Sequence, residues 1–151
     1  MITRQQAIDM FHSDDLLGLG MAADAVRRKL HPDNIVSYII DRNINYTNVC
    51  TEYCSFCAFY RPTGHKEGYV LPQETIFQKI QETIDLGGTG ILMQGGLHPD
   101  LKIEWYEDLL RSIKQRFNIW CHCFSAPEIV NIAEVSGLSI EDTLLLLRDA
   151  G

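Results

Sequence analysis

Residues 35–57 read IVSYIIDRNINYTNVCTEYCSFC, and the change of character along this stretch decides the fold. Its first ten residues, Ile35–Ile44, are rich in β-branched and aromatic side chains and predict a strand. The chain then turns polar and presents Cys50, Cys54 and Cys57 in C-x3-C-x2-C spacing, in a loop expected to end near Tyr69.

Downstream, Pro72-Gln73-Glu74 opens a helix predicted to reach Leu86 and stop at Gly87-Gly88. Thr89–Gln94 (TGILMQ) reads as a short buried strand that turns out at Gly95-Gly96. A helix over about Ile103–Phe117 precedes a third strand, Ile119–Phe124. Pro127 fits the first turn of a helix ending near Gly137, and Ser139 caps a last one with Glu141 and Asp142 in its first turn. Upstream, residues 3–12 and 14–30 predict two helices, the second capped by Ser13 and stopped by His31-Pro32. The order βαβαβα(α) predicts an α/β fold, a parallel sheet with helices outside it. The expected organisation is an N-terminal helical segment, 1–33, followed by an α/β domain over 34–151, with no internal repeat or low-complexity segment.

The bulk composition narrows the function. Thirteen Lys and Arg against 20 Asp and Glu leave a formal charge of −7, which argues against nucleic acid as a partner, because phosphate binding needs a basic surface. No run of about 18 apolar residues exists to span a membrane. The opening MITRQQAIDMF lacks the basic and apolar regions of a signal peptide, so a cytoplasmic location is expected. Thiols stay reduced there, and five cysteines then point to metal or chemistry and not to disulfides. In that compartment the Asn45-Tyr46-Thr47 sequon meets no glycosylation machinery.

Three thiolates at this spacing can converge on one iron–sulfur cubane. A four-iron cluster ordinarily takes four protein ligands, so three would leave one iron open to a small molecule. The competing reading is a zinc site completed by His65, His98, Cys121 or Cys123, although zinc loops more often carry two C-x2-C pairs and only one is present. Gly18-x-Gly20-x-x-Ala23 formally fits a dinucleotide fingerprint but lies in a helical pattern with no strand before it.

C-x3-C-x2-C with an aromatic, Phe56, just before the third cysteine resembles the radical S-adenosylmethionine (radical SAM) superfamily. The resemblance implies a [4Fe-4S] cluster on Cys50, Cys54 and Cys57, and S-adenosylmethionine chelated at the open iron through its amino and carboxylate groups. It implies a (β/α) barrel with the cluster loop after the first strand, at the mouth where barrels place their chemistry. Of that barrel the chain would be the N-terminal part, preceded by two helices and truncated after about three strands. On this view it is the front of a longer enzyme, inactive alone. The cofactor contacts implied are Phe56, the Gly95-Gly96 backbone approaching the amino group, and His98 at the mouth. The superfamily often has Gly-Gly-Glu here, and this chain has Leu97 in place of the acid.

Four runs narrow the resemblance: residues 41–50, 57–62, 88–100 and 122–125 are very similar to the dehypoxanthine futalosine cyclase family of the futalosine route to menaquinone. That likeness implies hydrogen abstraction from the substrate ribose by a 5′-deoxyadenosyl radical, ring closure onto the benzoate, and a reducing partner such as flavodoxin or ferredoxin. Tyr46 leans away from the related aminofutalosine synthases, and Tyr60-Arg61-Pro62 away from the deazaflavin (F0) synthases. Both relatives remain alternatives, as does a non-enzymatic iron–sulfur or zinc protein. His122, if it faces the barrel interior, would bind substrate or move a proton; a satisfied core histidine is the plain alternative. Cys121 and Cys123 read as small buried hydrophobes and Glu128 as first-turn helix electrostatics.

Overall fold

The computed structural model describes residues 2–151, in two compact units that meet in sequence at Tyr38 and Ile39. The first unit holds α1 (Arg4–Phe11) and α2 (Leu16–Leu30). Thr3 and Gln6 close a reciprocal capping box at the start of α1. The cap of α2 is Asp15 and not Ser13: the Asp15 carboxylate accepts from the Gly18 N–H at 2.8 Å, while the Ser13 hydroxyl accepts from Asp15 N–H. The helix therefore starts two residues later than the acidic pair suggests, where a carboxylate can reach back over a glycine that has no Cβ in its way.

The second unit is built on a parallel sheet in the order β1 (Asp41–Asn45), β2 (Gly90–Gln94), β3 (Trp120–Cys123). Helices α3 (Gln73–Asp85) and α4 (Ile103–Arg116) make the crossovers, and α5 (Ala126–Ser136) and α6 (Ile140–Ala150) follow. The α/β architecture with a parallel sheet is the one expected from the alternation of strands and helices.

The first strand is the main departure from expectation. Only Asp41–Asn45 pair, register-matched to Gly90–Gln94, while Ile35, Val36, Tyr38 and Ile39 are largely exposed and outside any strand. Side-chain type favours extended backbone, but a strand exists only where a partner runs alongside. β2 begins at Gly90, just after the turn at Gly87-Gly88 that ends α3, so among the described residues no strand pairs with residues 35–39.

Strand alternation sorts the sheet into two faces. Ile44, Ile91 and Met93 are fully buried against a cluster containing Ile76, Phe77 and Ile80 of α3 and Tyr106, Leu109 and Ile113 of α4. Each such side chain contributes about 1.5–3 kcal/mol when withdrawn from water. Cys121 and Cys123 pack against this same cluster. The opposite face carries Asp41, Asn43 and Asn45 on β1, Gly90, Leu92 and Gln94 on β2, and Trp120 and His122 on β3, with Asn43, Leu92 and His122 level in register.

Candidate functional site

The loop leaving β1 is tied down before it reaches the cysteines. Tyr46 N–H donates to the Gln94 carbonyl and Leu71 N–H to the Tyr46 carbonyl. Asn48, nearly buried, donates from Nδ2 to the Glu67 carbonyl and accepts from Tyr69 N–H at Oδ1. Asn48 and Cys50 then bracket Arg61, whose N–H donates to the Asn48 carbonyl at 2.7 Å and whose carbonyl accepts from Cys50 N–H at 3.0 Å. The Arg61 guanidinium gathers the carbonyls of Ala58 and Tyr60 and pairs with Glu67 at 2.7 Å. That guanidinium holds the Glu67 carboxyl below the usual range. The cysteine loop is thus closed at its base by a single arginine.

Within the loop, Cys57 N–H donates to the Cys54 carbonyl in a tight turn. All five cysteines are free thiols. Cys50 is buried, Cys54 exposed and Cys57 half-buried. The three line one cleft of about 370 Å³ with Phe56, Gly95, Gly96, Asn45, Asn48, Gln94, Ser125 and Glu128.

The turn after β2 forms the wall opposite the thiols. Gly95 N–H donates to Glu128 Oε1 at 2.9 Å, Gly96 N–H to the Thr47 carbonyl at 3.0 Å, and Leu97 N–H to the Cys50 sulfur at 3.3 Å. The Leu97 carbonyl accepts from Thr51 N–H and its hydroxyl. Both glycines are required by close approach: a Cβ on Gly95 would lie 2.6 Å from the Tyr46 ring, and one on Gly96 would lie 2.8 Å from the Cys50 Cβ and closer still to the Val49 carbonyl oxygen.

Cys50, Cys54, Cys57, Phe56, Gly95 and Gly96 therefore share one cleft, 37 residues of chain lying between Cys57 and Gly95. His98 and His122 stand outside its lining. His98 is half-buried; its Nδ1 accepts from Asp100 N–H and its carbonyl from the Asn131 amide. Partial burial pulls its imidazole below the usual value, against the opposing pull of Asp100. His122 is exposed on the polar face of the sheet, its ring 5.4 Å from that of Trp120. Glu128, read from sequence as helix electrostatics, is 2% exposed and belongs to the cleft. The Ser125-x-x-Glu128 capping pattern directly after a strand was the signal available for it.

The sequence profile of the Radical SAM superfamily matches residues 44–151. The chain belongs to the radical SAM superfamily. It is 55% identical over 151 residues to a cyclic dehypoxanthine futalosine synthase from Halalkalibacterium halodurans, covering 99% of this chain and 41% of that protein. A synthase of the same name from Streptomyces coelicolor is 42% identical, with 99% and 39% covered. A 5-amino-6-(D-ribitylamino)uracil–L-tyrosine 4-hydroxyphenyl transferase from Methanococcoides burtonii is 44% identical, with 85% and 35% covered. The chain spans about two-fifths of the length of these two synthases.

Radical SAM proteins use a [4Fe-4S] cluster and S-adenosylmethionine. The donor set fits: three soft thiols from one loop face a glycine turn whose lack of side chains is enforced from behind by Tyr46 and Cys50. Among the described residues no three His, Cys, Asp or Glu side chains already meet at metal-ligating distance, so the thiols share the cleft without converging on a point. No helix among the described residues is long and apolar enough to cross a membrane.

Proposed function

We propose that the protein is a radical SAM cyclase that converts dehypoxanthine futalosine to its cyclic form in the futalosine route to menaquinone. The observation that carries this reading is the 55% identity across 99% of the chain to a cyclic dehypoxanthine futalosine synthase, against 44% for the hydroxyphenyl transferase and 39% for an FO synthase from Streptomyces avermitilis. In this reading residues 34–151 are the opening part of a (β/α) barrel, residues 1–33 a helical segment before it, and the protein works in the cytoplasm with a flavodoxin or ferredoxin as reductant.

When bound, the cluster and S-adenosylmethionine supply one electron and a carbon-centred radical that removes a substrate hydrogen. The chain's own share is binding and exclusion of water. Cys50, Cys54 and Cys57 hold the cluster, the Gly95-Gly96 backbone receives the methionyl end, and Phe56 and His98 flank it. His122, level with Asn43 and Leu92 on the polar sheet face, faces the substrate and holds or accepts a proton.

Anaerobic reconstitution at full natural length, followed by S-adenosylmethionine, dithionite and dehypoxanthine futalosine, tests the reading. The expected product is lighter than the substrate by two hydrogens, one removed as an atom and one as a proton with loss of an electron. Turnover of only the deazaflavin or aminofutalosine precursors would overturn it.

A further inference from the structure

Glu128 makes more contacts than a helix cap requires. Its Oε2 accepts from the Ser125 N–H and hydroxyl, both at 2.7 Å, which completes the capping box of α5. A cap alone would leave the other oxygen to solvent. Instead Oε1 is buried and accepts from the Tyr46 hydroxyl at 2.7 Å and the Gly95 N–H at 2.9 Å. Four donors from three separate segments meet on one carboxylate, which is the number its two oxygens can take. Just before the helix that carries Glu128, Phe124, between β3 and α5, holds φ at 66°, a region bulky residues rarely occupy.

The consequence lies at Gly95. Its N–H is drawn to Glu128 while the Tyr46 ring closes the space behind it, so the turn is gripped from two sides. The next two N–H groups also donate inward, to Thr47 and Cys50. With three successive donors committed to the protein, the Gly95 and Gly96 carbonyls take no hydrogen bond from the described residues, and both residues line the cleft. A pair of backbone acceptors suits a primary ammonium group.

We propose that Glu128 is a positioning residue for S-adenosylmethionine: it orients the Gly95-Gly96 turn so that its carbonyls accept from the ammonium of the methionyl end. The proposal rests on the reading that this end of the cofactor lies against Gly95-Gly96. Glu128 itself, with both oxygens occupied, does not touch the cofactor.

The test uses the anaerobically reconstituted protein at full natural length, as wild type, Glu128→Gln and Glu128→Ala. Iron content, S-adenosylmethionine affinity by equilibrium dialysis, and the change that the cofactor makes in the electron paramagnetic resonance signal of the reduced cluster are measured together. Glu128→Ala is expected to keep its iron and lose affinity about ten- to a hundredfold, the usual scale for removing a group that orients a ligand-binding one. Glu128→Gln keeps one acceptor oxygen for Gly95 and is expected to fall between; it carries the test alone if the alanine variant does not fold. Equal affinity and equal spectral change in all three, with wild type binding normally, would overturn the proposal alone. Loss of iron in step with loss of affinity would overturn it too, because Glu128 would then be structural only. A wild type that takes up iron and does not bind S-adenosylmethionine would overturn the underlying reading and the proposal with it.

Discussion

Leu97 donates its backbone N–H to the sulfur of Cys50 at 3.3 Å, across 47 positions of sequence. The contact joins the turn after β2 to the first cysteine of the loop after β1, and it makes the glycine turn and the thiol one structural unit. Hydrogen bonds to ligating sulfurs are among the factors that set cluster potentials, so with Cys50 as the ligand proposed above this turn would bear on the cluster as well as on the cofactor.

Loss of Cys54 tests the metal assignment. Cys54→Ala is expected to abolish the visible absorption and the iron uptake of the reconstituted protein, while Cys121→Ala, on the opposite face of the sheet, leaves both in place. Stoichiometric zinc without iron in the wild type would contradict the assignment.

Gly96→Ala should disturb both partners of the turn. The new Cβ meets the Val49 carbonyl and the Cys50 Cβ, and backbone cannot swing aside as a flexible side-chain tip can. A loss of about 1–3 kcal/mol is expected from overpacking, read as a lower denaturant midpoint, together with a shifted cluster spectrum. An unchanged midpoint would show that the turn yields.

Arg61 closes the base of the cysteine loop through the Ala58 and Tyr60 carbonyls and Glu67. Arg61→Ala frees these acceptors and should raise amide exchange over residues 54–61, with faster loss of iron to a chelator. Lysine in its place cannot span the same acceptors with one ammonium and should rescue only in part. Exchange rates equal to those of wild type would refute the role.

Alkaline pH should weaken the fold through the buried phenols. Burial pushes the Tyr106 hydroxyl up to about 12, opposed by the hydrogen bond with Tyr46 and assisted by the Glu128 carboxylate. Burial raises Tyr46 as well, helped by Tyr106 and Glu128. An unfolded tyrosine ionises near 10.0, so above that pH the unfolded chain has released a proton that the folded one keeps, and stability falls as pH rises. The loss begins near pH 10 and continues through about 12, and the contribution is complete below that window. Denaturant midpoints followed upward from neutral pH should show it, and Tyr106→Phe should blunt it. A midpoint as pH-dependent in Tyr106→Phe as in wild type would remove Tyr106 ionisation as the cause.

The residue order by itself determined the local chemistry. The three cysteines and their spacing, the strands around Ile91 and Cys121, and the stops at Gly87-Gly88 and Gly137 were legible because each depends on neighbours a few positions away. The first strand was misplaced because Ile35–Ile40 have the side chains of a strand, whereas pairing is decided by where β2 begins, after a turn some fifty residues later. The cap of α2 went to Asp15 because reach, not residue type alone, selects among Ser13, Asp14 and Asp15. Tertiary structure alone decided the fate of Glu128. Its first-turn position in α5 is readable from sequence, but its hydrogen bonds to Tyr46 and Gly95 span 82 and 33 positions and exist only once three parallel strands end at the same level. A buried carboxylate is stable only where donors converge on it, and convergence of separate segments is a property of the folded chain.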